Sequence, residues 1–170
     1  MITKKIGNLL AVERGILVHG CNCLGMMGSG VARLIRDKWT GVYLAYREEH
    51  QFKGLKLGDV QFIGSALLTR PERETRHLYK AILQLPEDLI VANAMTQFDC
   101  GNDPDVVYVD YDAVFAAFAR IRLVARDTGL PVHFPLIGCG LANGKWEQVS
   151  QLIETALGND VEAILWELPA

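Results

Sequence analysis

The sequence contains no apolar run near the roughly 20 residues that a helix needs to cross a bilayer. Charge interrupts the opening stretch MITKKIGNLLAVERG, which therefore lacks the apolar centre of a secretory leader. These absences lead us to expect a cytoplasmic protein with no membrane partner. There is no large excess of either charge: the net value is −3, so broad nucleic-acid binding is not expected. An anionic ligand would have to be held by local features, such as backbone N–H groups. Cysteine is sparse, at four residues: Cys21, Cys23, Cys100 and Cys139. Cys21 and Cys23 form a C-x-C pair, shorter than the usual zinc knuckle, and no second pair exists. Small buried thiols are expected rather than disulfides or zinc, and neither metal nor cofactor is implied. Two phosphate signatures are also missing, G-x-x-x-x-G-K-[ST] and a G-x-G-x-x-G opening the first helix. Repeats, low-complexity tracts and linkers are absent too, which points to a single domain over 1–170.

What is present suits an ordinary globular domain. Half of the 170 residues are apolar and 22% are charged, enough to bury a sizeable core. Short apolar, β-rich runs predict strands at 15–19, 58–68, 89–95 and 130–138, with another in EAILWEL near the end. Between them lie helical patterns. The stretch 29–49 places Val31, Leu34, Ile35, Lys38 and Val42 on one face and invites a break around Thr40-Gly41. YDAVFAAFARIRLVARDTG spaces Val114, Phe115, Phe118, Ile121, Arg122 and Ala125 helically, with Asp112 near its start and Gly129 just past its end. WEQVSQLIETAL turns Val149, Leu152, Ile153 and Ala156 inward. Residues 69–88 fit a hairpin, a short helix or an insertion. Strands alternating with helices indicate an α/β domain, with a mixed, mostly parallel sheet covered on both faces.

Three of the strands end in polar, glycine-rich loops: HGCNCLGMMGSG (19–30), NAMTQFDCGND (93–103) and GCGLANGK (138–145). A glycine-rich turn before a helix presents free N–H groups, and the helix dipole favours negative charge there. Ligands of open α/β sheets sit at the carboxyl ends of the strands. Two such loops side by side suit a diphosphate.

The ordered set KKIGNLLAVERGILVHGCNCLGMMGSGVARLIRDKW, LKLGDVQFI, LIVANAMTQFDCG and HFPLIGCGLANGKWEQV resembles a macro domain over nearly the whole chain, except roughly 66–88. The resemblance implies a three-layer α/β/α sandwich and a cleft for ADP-ribose. Carried over by position, Asn8 and Leu9 fall in the stretch beside the adenine, where the family usually has an acidic residue and this chain has Asn8. Asn22 matches the asparagine facing the distal ribose. Gly28, Ser29, Gly30 and Val31 match the first phosphate loop; Gly138, Cys139, Gly140 and Leu141 match the second. Phe98 lines the ribose pocket or packs internally.

Within the family, the segment from His19 to Gly25 is similar to that of yeast-type ADP-ribose 1″-phosphate phosphatases. That branch implies catalysis by His19, as nucleophile or base, with Asp99 protonating the leaving anomeric oxygen. The expected function is hydrolysis of ADP-ribose 1″-phosphate to ADP-ribose. The alternatives are an ADP-ribosyl hydrolase acting on protein or nucleic acid, and a non-catalytic ADP-ribose binder. The hydrolase branch uses an acidic residue after the second loop and a lysine after the central strand. Here Ala142 and Asn143 stand at the first position, and MTQFDCG has no lysine. His133 is read as a satisfied core group, His50 and His77 as surface residues, and Asp103 and Asp105 as solvated charges. Trp146 is read as packing, and Trp166 as packing or a wall of the adenine pocket.

Overall fold

The computed structural model describes residues 1–64 and 85–169. Six strands form one sheet: β1 (Ile2–Ile6), β2 (Gly15–Cys21), β3 (Val60–Gly64), β4 (Leu89–Met95), β5 (Val132–Phe134) and β6 (Ala163–Glu167). The described helices are α1 (Gly30–Lys38), α2 (Thr40–Phe52), α3 (Tyr111–Thr128) and α4 (Trp146–Leu157), with a 3-10 turn at Leu9–Ala11. The strand order is β1-β6-β5-β2-β4-β3, and every neighbouring pair is parallel except β3 against β4. The sheet is mixed and mostly parallel, as the sequence predicts.

Side chains alternate along β2. Ile16 and Val18 join Val114, Phe118, Ile121, Val149 and Ile153 of α3 and α4 on one face. Leu17 faces the other way, onto Ile35, Trp39 and Val42 of α1 and α2. The chain is therefore a three-layer α/β/α sandwich. All seven residues of β4 are buried, which explains a sequence that is apolar at every position but Asn93.

Local chemistry sets the helix ends. The Asp110 side chain accepts from Ala113 N at 2.8 Å and caps α3. Gly129, at φ 65°, closes the helix in the left-handed region. The buried stripe of α3 is Ala113, Val114, Ala117, Phe118, Ile121 and Ala125. Phe118 meets Phe134 edge-on, with centroids 5.5 Å apart. Full burial of a ring of this kind contributes about 1.5–3 kcal/mol.

Several details differ from the sequence reading. Phe115 and Leu34 are 41% and 53% exposed, because each lies one residue, about 100° of helical rotation, off its buried stripe. The break between α1 and α2 falls at Trp39, whose ring is buried with Ile35 and Val42. β5 is shorter than 130–138, since Pro131 and Pro135 flank it and proline gives no N–H to a ladder. β3 ends its described course at Gly64, and 65–84, with His77, lies outside the described residues.

Candidate functional site

β5, β2 and β4 lie side by side and parallel, so the loops leaving their carboxyl ends emerge together. Thr96 N and Gln97 N both donate to Cys21 O, at 3.1 and 3.3 Å, and Cys23 N donates to Phe98 O at 2.9 Å. Tyr108 N donates to Ala142 O at 3.0 Å. Asn143 Nδ2 joins the outer two loops, donating to Asp103 O (2.8 Å) and Val106 O (2.7 Å). The three glycine-rich loops thus form one surface.

The first loop is braced from within. Asn22 is buried, and its Oδ1 accepts from Leu24 N (3.0 Å) and Met26 N (3.2 Å) while its Nδ2 donates to Met26 O (2.7 Å). The phenol of Tyr46, fully buried on α2, donates to Asn22 O at 2.6 Å. Burial holds that phenol protonated far above the ordinary tyrosine range. The loop then rises to Gly28, Ser29 and Gly30, all exposed, at the start of α1. Gly30 has φ 55°, and nothing lies near either glycine where a Cβ would project. The Ser29 hydroxyl makes no capping bond. Among the described residues, no hydrogen bond engages the backbone N–H groups of Gly28, Ser29, Gly30 or Val31. They lie at and just before the start of α1, where the helix dipole has its positive end.

The second loop turns at Gly138, where φ is 71° and a Cβ would lie 2.5 Å from Val109 Cγ2, so only glycine fits. Gly144 N donates to Gly138 O at 2.7 Å and closes the turn. Gly140 and Leu141 are exposed, and their N–H groups have no partner among the described residues. Asn143 adopts φ 55°, a strained value for a non-glycine that its two amide bonds hold in place.

His19 does not reach this surface. It is 1% exposed, on the face of β2 that looks toward α2. Its Nε2 bonds Asn93 Oδ1 at 2.6 Å, and Asn93 Nδ2 donates to Gln61 Oε1 at 2.9 Å. Asn93 so oriented leaves an acceptor for the ring, so Nε2 carries the proton. Gln61 Nε2 in turn donates to Ala45 O (2.9 Å) and Glu49 Oε2 (2.6 Å). Desolvation lowers the imidazole pKa to about 4, against a smaller opposing effect of the Asn93 bond, so the ring is neutral at neutral pH. A nucleophile open to substrate is not what this geometry provides.

Asp99 is exposed, and its Oδ1 accepts from Cys100 N at 2.7 Å. With Phe98, which is 59% exposed, it lines an open groove of about 350 Å³ bounded by Leu57, Val106, Val107 and Tyr108. No hydrogen bond joins Asp99 to His19. Asn8 is exposed and accepts from Leu10 N at 3.0 Å, capping the 3-10 turn, while Leu9 is buried. Trp166 Nε1 donates to His133 Nδ1 at 3.1 Å, and His133 Nε2 donates to Arg14 O at 3.2 Å. His133 is therefore satisfied, and the Trp166 ring packs under Gly7. Trp146 packs against the core. His50 is only half-exposed, with its ring against Gly25.

Burial raises the pKa of each thiol: Cys21 far upward, Cys23 and Cys100 to a lesser degree, and Cys139 to about 11. None is a thiolate at neutral pH. Among the described residues, no group of three or more His, Cys, Asp or Glu is placed to hold a metal ion. Sequence reasoning missed Tyr46, Asn93 and Gln61. The one local signal was an asparagine in the middle of the apolar LIVANAM.

A six-stranded mixed sheet between helical layers, with paired glycine-rich loops at its carboxyl edge, is the architecture of the macro domains, and the chain has that fold. The macrodomain protein from Streptomyces coelicolor superposes with a TM-score of 0.71 at 26% identity, covering 98% of this chain and 99% of that one. Thermosipho africanus DarTG, solved in complex with ADP-ribose, gives 0.67 at 18% identity over 96% of this chain and 40% of its own. In sequence, the chain is 23% identical over 168 residues to the DNA ADP-ribosyl glycohydrolase of Mycobacterium tuberculosis, matching 98% of its own length but only 42% of that protein. It is also 23% identical over 146 residues to the ADP-ribose 1″-phosphate phosphatase of Meyerozyma guilliermondii, 82% of each chain. No protein-family model matches the chain.

Proposed function

We propose that the protein binds ADP-ribose derivatives with their diphosphate across the first and second loops, and hydrolyses ADP-ribose 1″-phosphate to ADP-ribose and phosphate. The observation that carries the binding reading is the pair of adjoining loops, exposed at Gly28 to Gly30 and at Gly140 and Leu141, whose backbone N–H groups have no partner among the described residues. The likeness to fungal ADP-ribose 1″-phosphate phosphatases supports the reaction. In this reading water attacks phosphorus, the bond from phosphorus to the anomeric oxygen breaks, and that oxygen takes a proton. Asp99, exposed at the rim beside the first loop, gives that proton and is reprotonated by the one the attacking water loses. His19 acts from behind the strand, fixing the end of β2 through Asn93, rather than by attack.

A second reading, release of ADP-ribose from a modified macromolecule, is supported by the alignment to the DNA ADP-ribosyl glycohydrolase over 98% of the chain. Against it, Ala142 is buried and the Asn143 amide is spent on two carbonyls.

The test is phosphate release from ADP-ribose 1″-phosphate by wild type, Asp99→Ala and His19→Ala, with ADP-ribose binding measured by calorimetry on each. The expected result is turnover by wild type and a loss of about 10²-fold or more in Asp99→Ala with binding retained. Binding without release by the wild type overturns the phosphatase. Release of ADP-ribose from modified DNA or protein would then establish the second reading, and its absence a binding module.

A further inference from the structure

Two consecutive carbonyls of the first loop are held from the protein side. Asn22 Nδ2 takes Met26 O at 2.7 Å, and Arg36 Nη1 takes Met27 O at 3.0 Å. In a trans peptide the C=O and the next N–H point in opposite directions. Drawing Met27 O toward Arg36 therefore turns the Gly28 N–H away from that side chain, at an exposed residue. Arg36 reaches the loop from the far end of α1, its side chain running back toward the helix start, as long helical side chains do.

The same guanidinium supplies charge. Its Nε and Nη2 donate to Asp37 Oδ1 at 3.0 and 2.9 Å. Arg33 Nε lies 3.6 Å from the other oxygen of that carboxylate. Two cations thus share one anion, leaving a surplus positive charge on α1 in a chain whose net charge is −3.

We infer that Arg36 is a positioning residue of the anion cradle: it aims the Gly28 N–H at the ligand and adds the positive potential that the backbone alone lacks. The inference rests on the proposed reading of the first loop as a phosphate cradle. The Arg36 side chain is 33% exposed, so replacing it hollows no core.

The experiment titrates wild type, Arg36→Met and Arg36→Lys with inorganic pyrophosphate and with ADP-ribose, by calorimetry at about 50 mM and about 0.5 M NaCl. Circular dichroism verifies that each variant is folded. Arg36→Met is expected to bind pyrophosphate about tenfold more weakly at low salt, with the gap narrowing at high salt as charge is screened. Arg36→Lys recovers most of the salt-dependent part. It does not recover all of it, because an ammonium lacks the fork that holds Met27 O and Asp37 together. Pyrophosphate binding by Arg36→Met within about twofold of wild type at low salt overturns the inference. So does a loss that is equal at both salts and not recovered by lysine. If wild type binds ADP-ribose while Arg36→Met is unaffected, this inference falls and the proposed binding of ADP-ribose stands. Arg36-dependent pyrophosphate binding without ADP-ribose binding leaves the inference standing and removes the proposed ligand. A wild type that binds neither overturns both.

Discussion

His19 lies within the sheet with its ring bonded to Asn93, while the sequence alone reads the same residue as a candidate nucleophile or base. Residue type announces a chemistry, while burial and hydrogen-bond partners decide whether it is available. The pH dependence of stability follows from that burial. The folded imidazole titrates at about 4 and the unfolded one near 6.5, so between these values the unfolded chain binds the extra proton. Stability is therefore intact above 6.5 and is lost as pH falls toward 4, by about 3 kcal/mol in all. Urea unfolding across this range checks the point: the decline should be markedly shallower in His19→Gln, while the smaller same-direction effect of His133 remains. Equal slopes in the two proteins would mean that other groups carry the acid sensitivity. Asn22 shows the same contrast as His19. Its amide is committed to the loop and to α2, so it shapes the cradle from inside.

Helix starts in this molecule divide into structural and functional ones, and the division is visible in their caps. α3 begins at Asp110, whose carboxylate takes an N–H of the first turn. α1 begins at Ser29, whose hydroxyl makes no capping bond and whose following N–H groups find no partner among the described residues. Asp110→Ala should cost about 1 kcal/mol in thermal or chemical denaturation, and Ser29→Ala close to nothing. A comparable loss from both would remove the distinction. The strands repeat the theme of local versus imposed limits. β2 and β4 were legible because both faces are buried and their sequences are apolar apart from His19 and Asn93. β1 was missed because it is an edge strand whose Thr3, Lys4 and Lys5 face solvent, erasing the alternation that marks a strand. β5 was overextended because Leu136 and Ile137 continue the apolar run after Pro135 has ended the ladder.

The whole molecule is a sheet whose central strands are covered on both faces and whose β1 edge is thinly protected. Amide exchange should therefore be slowest in β2 and β4, approaching global unfolding, and fastest among the strands in β1. Uniform protection across the sheet would contradict this picture. The α/β class, the order of most elements and the three glycine-rich loops were all readable in sequence. Each depends on periodicity, apolar runs or turn residues within a few positions of one another. The adjacency of those loops came from strand order, with β2 set between β5 and β4. The surroundings of the site residues came from contacts between distant segments: His19 meets Asn93 74 residues away, and Tyr46 meets Asn22 24 residues away. No local pattern encodes such pairs. Whether a histidine is a reagent or a strut depends on what packs over it, and only the folded chain decides that.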